Sequence, residues 1–152
     1  MKKLRVTIDQ ITEFGINAKV GFPNKIDTLR KLLVEIYSKF LNIKSQYDAV
    51  DYTEVPKFDY EKIRGNVVSN FPSFGWYGTV LDINNIYAQE EGLGIGDALD
   101  DLTDIIIDLL EVKWRFENTN EIDALWHFEF LMRSHSERHL INLLKYLKES
   151  EL

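Results

Sequence analysis

The stretch GDALDDLTDIIIDLLEVKWRFE, residues 96–117, carries an apolar pattern and an acidic pattern that both repeat at helical spacing. The apolar residues recur at steps of three and four and are Ala98, Leu102, Ile105, Leu109, Val112 and Phe116. The acidic residues recur at the same steps and are Asp97, Asp101, Asp104, Asp108 and Glu111. Residues at such steps share one face of an α-helix. The stretch therefore predicts a helix over 97–117 whose apolar face packs in the core.

The acidic face of this helix lies beside its apolar face and not opposite it. Each acid comes one position before an apolar residue, and successive residues of a helix are about 100° apart. Elements that pack on the apolar face can therefore cover acids as well, and covered acids must raise their pKa or find cations. Arg115 continues the acidic pattern at its next step, so it is the nearest cation within the helix.

Helical periodicity extends over most of the remaining chain. It predicts a helix of roughly 20 residues from Asn24 onwards, a short helix over 59–70 that Asp59 caps and Pro72 ends, and one or two long helices over 122–152. Helices joined by short polar breaks are typical of an all-α bundle. We therefore expect one helical domain over residues 1–152, with five or six helices.

Three segments do not follow this pattern. Residues 1–22 fit either a strand or a helix, and their structure is left open. Residues 45–58 show no sustained period and are interpreted as a loop. Residues 72–96 are also interpreted as a connection, in which Gly92, Gly94 and Gly96 form a linker into the next helix. The aromatic residues of this connection are expected to be core side chains or loop anchors, and they are Phe74, Trp76 and Tyr77.

Composition excludes several classes of function. With 18 Lys and Arg against 25 Asp and Glu, the net charge is −7, and such a field repels the phosphates of nucleic acids. No apolar run approaches the roughly 20 residues that cross a bilayer, and the N-terminus does not resemble a secretion signal. The sequence has no cysteine, which excludes a catalytic thiol and fits a reducing compartment. We therefore predict a cytoplasmic protein that binds neither nucleic acid nor membranes.

Two pairs of potential metal ligands lie one helical turn apart. Asp104 and Asp108 form one pair, and His135 and His139 form the other. If the two helices face each other at this level, the pairs converge in the way that helical bundles build metal sites. The alternative is a solvated acidic face, with histidines that pair with acids or lie at the edge of the core. Both interpretations remain open at this point.

Two catalytic motifs can be set aside. In HSERH, residues 135–139, Glu137 lies about 200° around the helix from His135, whereas zinc peptidases need a glutamate directly after the first histidine. Ser134 and Ser136 flank His135 without a strand-turn-helix elbow, and serines next to a helical histidine are expected to point away from it. No catalytic residue is assigned.

Several segments, in order, resemble those of a known family. They are IDTLRKLLVEIY, DYEKIRGNV, LDDLTDIIIDLLE, DALWHFEF and HLINLLKYL. Over residues 26–148 the chain resembles the uncharacterised bacterial family named domain of unknown function number five thousand and sixty-three. The sharpest matches are Trp126 and the group Leu102, Asp104, Ile105, Asp108 and Leu109. The resemblance implies an all-helical fold and no activity. The chain departs from it where many members have His-Trp-Gly, since it reads His135, Ser136, Glu137.

The sequence predicts a non-enzymatic, acidic helical module that binds another protein, such as a bacterial immunity or regulatory protein, without a cofactor. An acidic surface accelerates association with a basic partner. The alternative is a hydrolase with a divalent metal bound by Asp104, Asp108, His135 and His139. The candidate binding residues are Asp101, Asp104, Asp108, Trp126, His135 and His139.

Overall fold

The computed structural model describes residues 2–84 and 92–150. The helices are α1 (Lys2–Ile16), α2 (Lys25–Asn42), α3 (Tyr60–Asn70), α4 (Ala98–Asn118), α5 (Glu121–Leu131) and α6 (Glu137–Glu149). A π-helical turn, Met132–Ser136, joins α5 to α6, and strands β1 (Trp76–Val80) and β2 (Leu93–Asp97) form an antiparallel hairpin. The protein is thus a mostly helical single domain, and this prediction is confirmed.

Helix α4 lies at the centre of the bundle, where it contacts α1, α3, α5 and α6. Its predicted apolar face is buried from Ala98 to Val112, and Phe116 packs partly buried at its end. Asp97 caps its N-terminus by accepting a hydrogen bond from the backbone N–H of Leu99. Arg115 forms an ion pair of 3.0 Å with Glu111, as its place in the acidic pattern predicts.

The segment left open at the N-terminus is helical. Helix α1 buries Leu4, Ile8, Ile11 and Phe14 against the neighbouring helices α2, α3 and α4. This helical spacing of buried residues outweighs the alternation of Leu4, Val6 and Ile8, since Val6 is exposed. The predicted loop is also confirmed, because residues 43–59 contain neither helix nor strand.

The interpretation of residues 72–96 as a connection, with Gly92, Gly94 and Gly96 as a linker into the next helix, is wrong, because β1 and β2 lie within this segment. Gly96 belongs to β2, and a Cβ atom there would overlap the ring of Tyr77, the paired residue of β1. A glycine at this position therefore lets the ring cross the neighbouring strand, which explains part of the glycine content that suggested a linker. Phe74 is buried as expected, but Trp76 is 76% exposed. Residues 85–91 lie outside the described residues.

Gly15 lies where α1 packs closely against α3 and α4. A Cβ atom there would lie 2.6 Å from Ile106 Cγ2 and 2.9 Å from Ile63 Cγ2, and both isoleucines are buried. We expect Gly15→Ala to lower the free energy of unfolding by about 1–2 kcal/mol, because overpacking outweighs the gain in helix propensity. Urea denaturation measures it. The control is Gly65→Ala in α3, where a Cβ atom meets nothing within 4 Å and we expect a gain of about 0.5–1 kcal/mol. Equal effects of the two substitutions would contradict the close packing at Gly15.

Candidate metal centre

Acidic side chains of α4 meet two histidines, His135 from the π-helical turn and His139 from α6. His139 Nδ1 lies 2.7 Å from Asp101 Oδ1, and His139 Nε2 lies 3.6 Å from Asp104 Oδ2. One turn earlier on its helix, His135 Nδ1 lies 2.8 Å from Asp108 Oδ2. Because an ionised carboxylate only accepts hydrogen bonds, Nδ1 of each ring carries the proton in these contacts. Each imidazole is therefore oriented by its own aspartate.

Three side chains are close enough to share one cation. Asp104, His135 and His139 each offer one ligand atom, and these atoms lie within 4.8 Å of one another. With Nδ1 bonded to a carboxylate, Nε2 is the nitrogen that each ring has left for a metal. Histidine ligands in metal sites usually donate their other N–H to a carboxylate in this way. Asp108 is placed differently from the sequence interpretation, because its carboxylate holds His135 and is not part of this ligand group.

Ser136, in the π-helical turn, reaches the same aspartate as His135, although a serine next to a helical histidine was expected to point away from it. Ser136 is fully buried and donates a hydrogen bond of 2.6 Å to Asp108 Oδ2, the same oxygen that His135 approaches. A π-helical turn changes the angular spacing of its side chains, and such turns are frequent at functional sites. The serine hydroxyl is therefore used to fix the aspartate that orients His135.

The β-hairpin supplies a residue that the sequence did not identify. Tyr77, on β1, donates its phenolic hydrogen bond to Asp101, so Asp101 is held by Tyr77 and His139 together. Burial and the contact with Asp101 raise the pKa of Tyr77, so the phenol stays protonated and remains a donor. Trp126, by contrast, lies in a separate aromatic group with Tyr47 and Phe130.

The remaining histidine belongs to a different cluster. His127 lies 3.5 Å from both Glu111 and Asp123, and Arg115 pairs with the same two acids. Burial, together with the charge of Arg115, lowers the pKa of His127. Because the guanidinium of Arg115 already pairs with both acids, this cluster is a structural ion-pair network between α4 and α5.

A hydrogen bond and burial shift two pKa values in the candidate metal centre. The hydrogen bond to Asp101 raises the pKa of His139 above its ordinary value of 6.5, against the effect of burial. Burial raises the pKa of the Asp104 carboxyl above its ordinary value of 3.8, although His139 opposes this shift. Both groups therefore hold their proton more strongly than they would in the unfolded chain.

These shifts predict how stability depends on pH in the absence of metal. A raised histidine pKa contributes stability that is fully present below pH 6.5 and lost as the pH rises through the higher pKa of the folded state. The raised pKa of Asp104 likewise contributes stability that is fully present below pH 3.8 and lost as the pH rises through the pKa of the folded state. We therefore expect the free-energy difference between wild type and His139→Gln to shrink as the pH rises above 6.5, as measured by urea denaturation in the presence of a chelator.

The control for this prediction is His127→Gln. Because the pKa of His127 is lowered, this histidine contributes stability that is present above pH 6.5 and lost as the pH falls through its folded pKa. The difference between wild type and His127→Gln should therefore grow with rising pH. The same pH trend in both variants would contradict the opposite shifts of the two histidines.

Comparison with known proteins supports the fold. No protein-family model matches the chain, and no curated protein matches it. The chain is similar to the crystal structure of protein BF1032 from Bacteroides fragilis, with a TM-score of 0.74 and 17% sequence identity over 98% of this chain and 90% of that chain. At this identity the similarity shows a shared fold. Within the described part of the chain, no helix is long and apolar enough to cross a membrane.

Proposed function

We propose that the protein binds a divalent cation through Asp104, His135 and His139, in a centre of the hydrolytic type. The observation that supports this most directly is the pair of carboxylates behind the two imidazoles, Asp101 and Asp108. Each carboxylate accepts a hydrogen bond from Nδ1 of one ring and leaves Nε2 of that ring available to a metal. This geometry goes beyond what an acidic helix face needs for solvation.

The ligand set indicates the class of metal and reaction. Two imidazoles and one carboxylate suit zinc, and related sets bind other first-row transition metals. Catalytic zinc sites have three protein ligands and leave a position for water or substrate, and such a cation supplies Lewis-acid polarisation and water activation. Both imidazoles line a cleft that a substrate can enter. We therefore propose hydrolysis as the reaction class.

A structural ion-pair network is the competing explanation. In it, His139 is an imidazolium between Asp101 and Asp104, and no metal is needed. Equilibrium dialysis at neutral pH distinguishes the two explanations, because only the metal site predicts that the protein takes up zinc. We expect chelator-treated protein to take up one zinc ion per chain, with an affinity that increases as the pH rises through the raised pKa of His139, because the ligand must lose its proton. Absence of stoichiometric zinc or manganese after reconstitution would leave the ion-pair network as the explanation.

A second candidate function is protein binding, which the aromatic surface around Trp126 favours. Trp126 stacks on Phe130 at 5.2 Å between ring centroids, and Tyr47 packs against it edge-on. Tyr47 and Phe130 are exposed. Exposed aromatic clusters are common at the centre of protein interfaces. The net charge of −7 suits a basic partner.

Protein binding can be tested separately from metal binding. A pull-down with the native protein from its own cells should recover a stoichiometric partner, and Trp126→Ala should lose it while Trp76→Ala, on the hairpin, should retain it. Recovery of no stoichiometric partner would count against this function. The cysteine-free sequence supports a cytoplasmic setting for either candidate function.

A further inference from the structure

A cleft of about 930 Å³ lies beside the candidate metal centre, between the β-hairpin on one side and the π-helical turn and α6 on the other. Small-molecule sites have volumes of roughly 300–1,000 Å³. Three exposed apolar residues of the hairpin side border the cleft: Trp76 and Ile95 lie on the outer face of the hairpin, at the rim of the cleft, and Leu81 lies on the opposite face, which also carries Tyr77. The helix side presents polar side chains, which include His135, Arg138, His139 and Asn142. The cleft therefore combines exposed apolar side chains, mostly from the hairpin, with polar side chains, mostly from the helix.

Each of the described acids that line this cleft has a partner within the protein, which is a cation for Asp97 and a neutral phenol for Asp100 and Glu137. Their partners are Arg64 for Asp97, Tyr60 for Asp100, His139 and Tyr77 for Asp101, and Tyr37 for Glu137. Arg133 is likewise paired with Glu129. Arg138 differs, because it forms no ion pair with any residue of 2–84 or 92–150. Among the described residues, its guanidinium is therefore a cation of the cleft that no acid pairs with.

Arg138 also lies close to the candidate metal centre along the chain. It follows His135 by three residues and precedes His139 by one, and all three side chains line the same cleft. A guanidinium binds carboxylates and phosphates through paired hydrogen bonds. Once a metal ion is bound, an anionic group that enters the cleft beside the imidazoles therefore meets two positive charges, the metal ion and the guanidinium of Arg138.

We infer that this cleft binds a small amphiphilic anion, with a flat apolar group against Trp76 and Ile95 and a carboxylate or phosphate held by Arg138 and the bound cation. This inference rests on the proposed function, because the bound cation supplies the second contact of the anionic group. Trp76 is exposed because it lies on the opposite face of β1 from its neighbour Tyr77, which is directed towards Asp101, and from the rim its indole offers apolar surface to a ligand in the cleft. Small-ligand sites usually combine apolar and aromatic side chains with a few polar groups that fix the orientation of the ligand.

Isothermal titration calorimetry of the zinc-loaded chain tests this inference with three probes. They are 2-naphthoate, 2-naphthyl phosphate and the neutral 2-naphthalenemethanol. We expect one or both anions to bind with a stoichiometry of one, and the ratio of their affinities distinguishes a carboxylate site from a phosphate site. Trp76→Ala should weaken all binding by about tenfold, whereas Arg138→Gln should weaken the anions by about tenfold and leave the neutral probe unchanged.

Two matched variants control for general effects. Trp126→Ala removes an indole from the other aromatic group, and Arg133→Gln removes a cleft-lining guanidinium that is already paired, so both should bind the anions like wild type. Zinc uptake is measured first on every variant. Two results would overturn the inference and leave the metal site standing. In the first, the protein takes up zinc normally but binds neither anion. In the second, wild type, Trp76→Ala and Arg138→Gln bind the anions equally well. Absence of zinc uptake would overturn the proposed function, and anion binding that still depends on Trp76 and Arg138 would then support the cleft alone.

Discussion

Replacing His139 by alanine should lower the affinity for zinc by at least about 100-fold. The substitution removes one of three proposed ligands, and loss of an outer residue that merely orients a ligand already costs 10–100-fold. It also leaves Asp101 and Asp104 without the imidazole between them. Competition between the protein and a chromogenic chelator of known affinity measures the change, and circular dichroism checks that the variant is folded.

His127→Ala is the matched control for this experiment. His127 has a similar exposure and also lies between two acids, but Arg115 already occupies its cluster. We expect its zinc affinity to equal that of wild type. If His127→Ala lost as much zinc affinity as His139→Ala, or if neither variant lost any, the cation would not bind at Asp104, His135 and His139.

The helical architecture could be predicted because its determinants are local in the sequence. In α4 the apolar steps from Ala98 to Val112 coincide with the buried face, and Asp59 caps α3 as expected from the residue type. Helix α1 was ambiguous because Leu4, Val6 and Ile8 fit a strand and Ile8 and Ile11 fit a helix. Packing against three other helices settles this choice, and a local pattern does not contain that information.

The β-hairpin was missed because its signals resemble those of a loop. Its strands are five residues each, and β2 reads LGIGD, with two glycines. Glycine is disfavoured in strands, but at Gly96 it admits the Tyr77 ring from the paired strand. Since this requirement comes from a residue 19 positions earlier in the chain, it becomes visible only when the register Tyr77–Gly96 is known.

The candidate site could be predicted in its residue types but not in its division of roles. The spacing of His135 and His139, and of Asp104 and Asp108, indicates which side chains share a face. It does not show that Asp108 orients His135 while Asp104 remains available. That difference depends on the axial offset between α4 and the last helix and on the π-helical turn at Met132–Ser136, and both arise from tertiary packing.

Asp101→Ala should lower the free energy of unfolding by about 2–3 kcal/mol in the absence of metal. Asp101 is 5% exposed and accepts hydrogen bonds from His139 and Tyr77, so its removal leaves both donors without a partner in a largely buried place. Breaking a buried charged pair costs about 3–5 kcal/mol, and the partial exposure of His139 reduces this. Urea denaturation at neutral pH measures the loss. The neighbouring Asp100→Ala is the control, because this acid is exposed and should cost under about 1 kcal/mol.

Asp101→Asn separates the structural role of this residue from its effect on the metal site. The amide can still accept from Tyr77 or His139, so we expect a smaller loss of stability than for alanine. It carries no charge to fix the protonated nitrogen of His139, so zinc affinity should fall by about 10–100-fold although no ligand is removed. A variant that loses stability but keeps full zinc affinity would show that Asp101 only ties the hairpin to α4. Loss of zinc affinity with little loss of stability would show that this aspartate orients His139 for the cation.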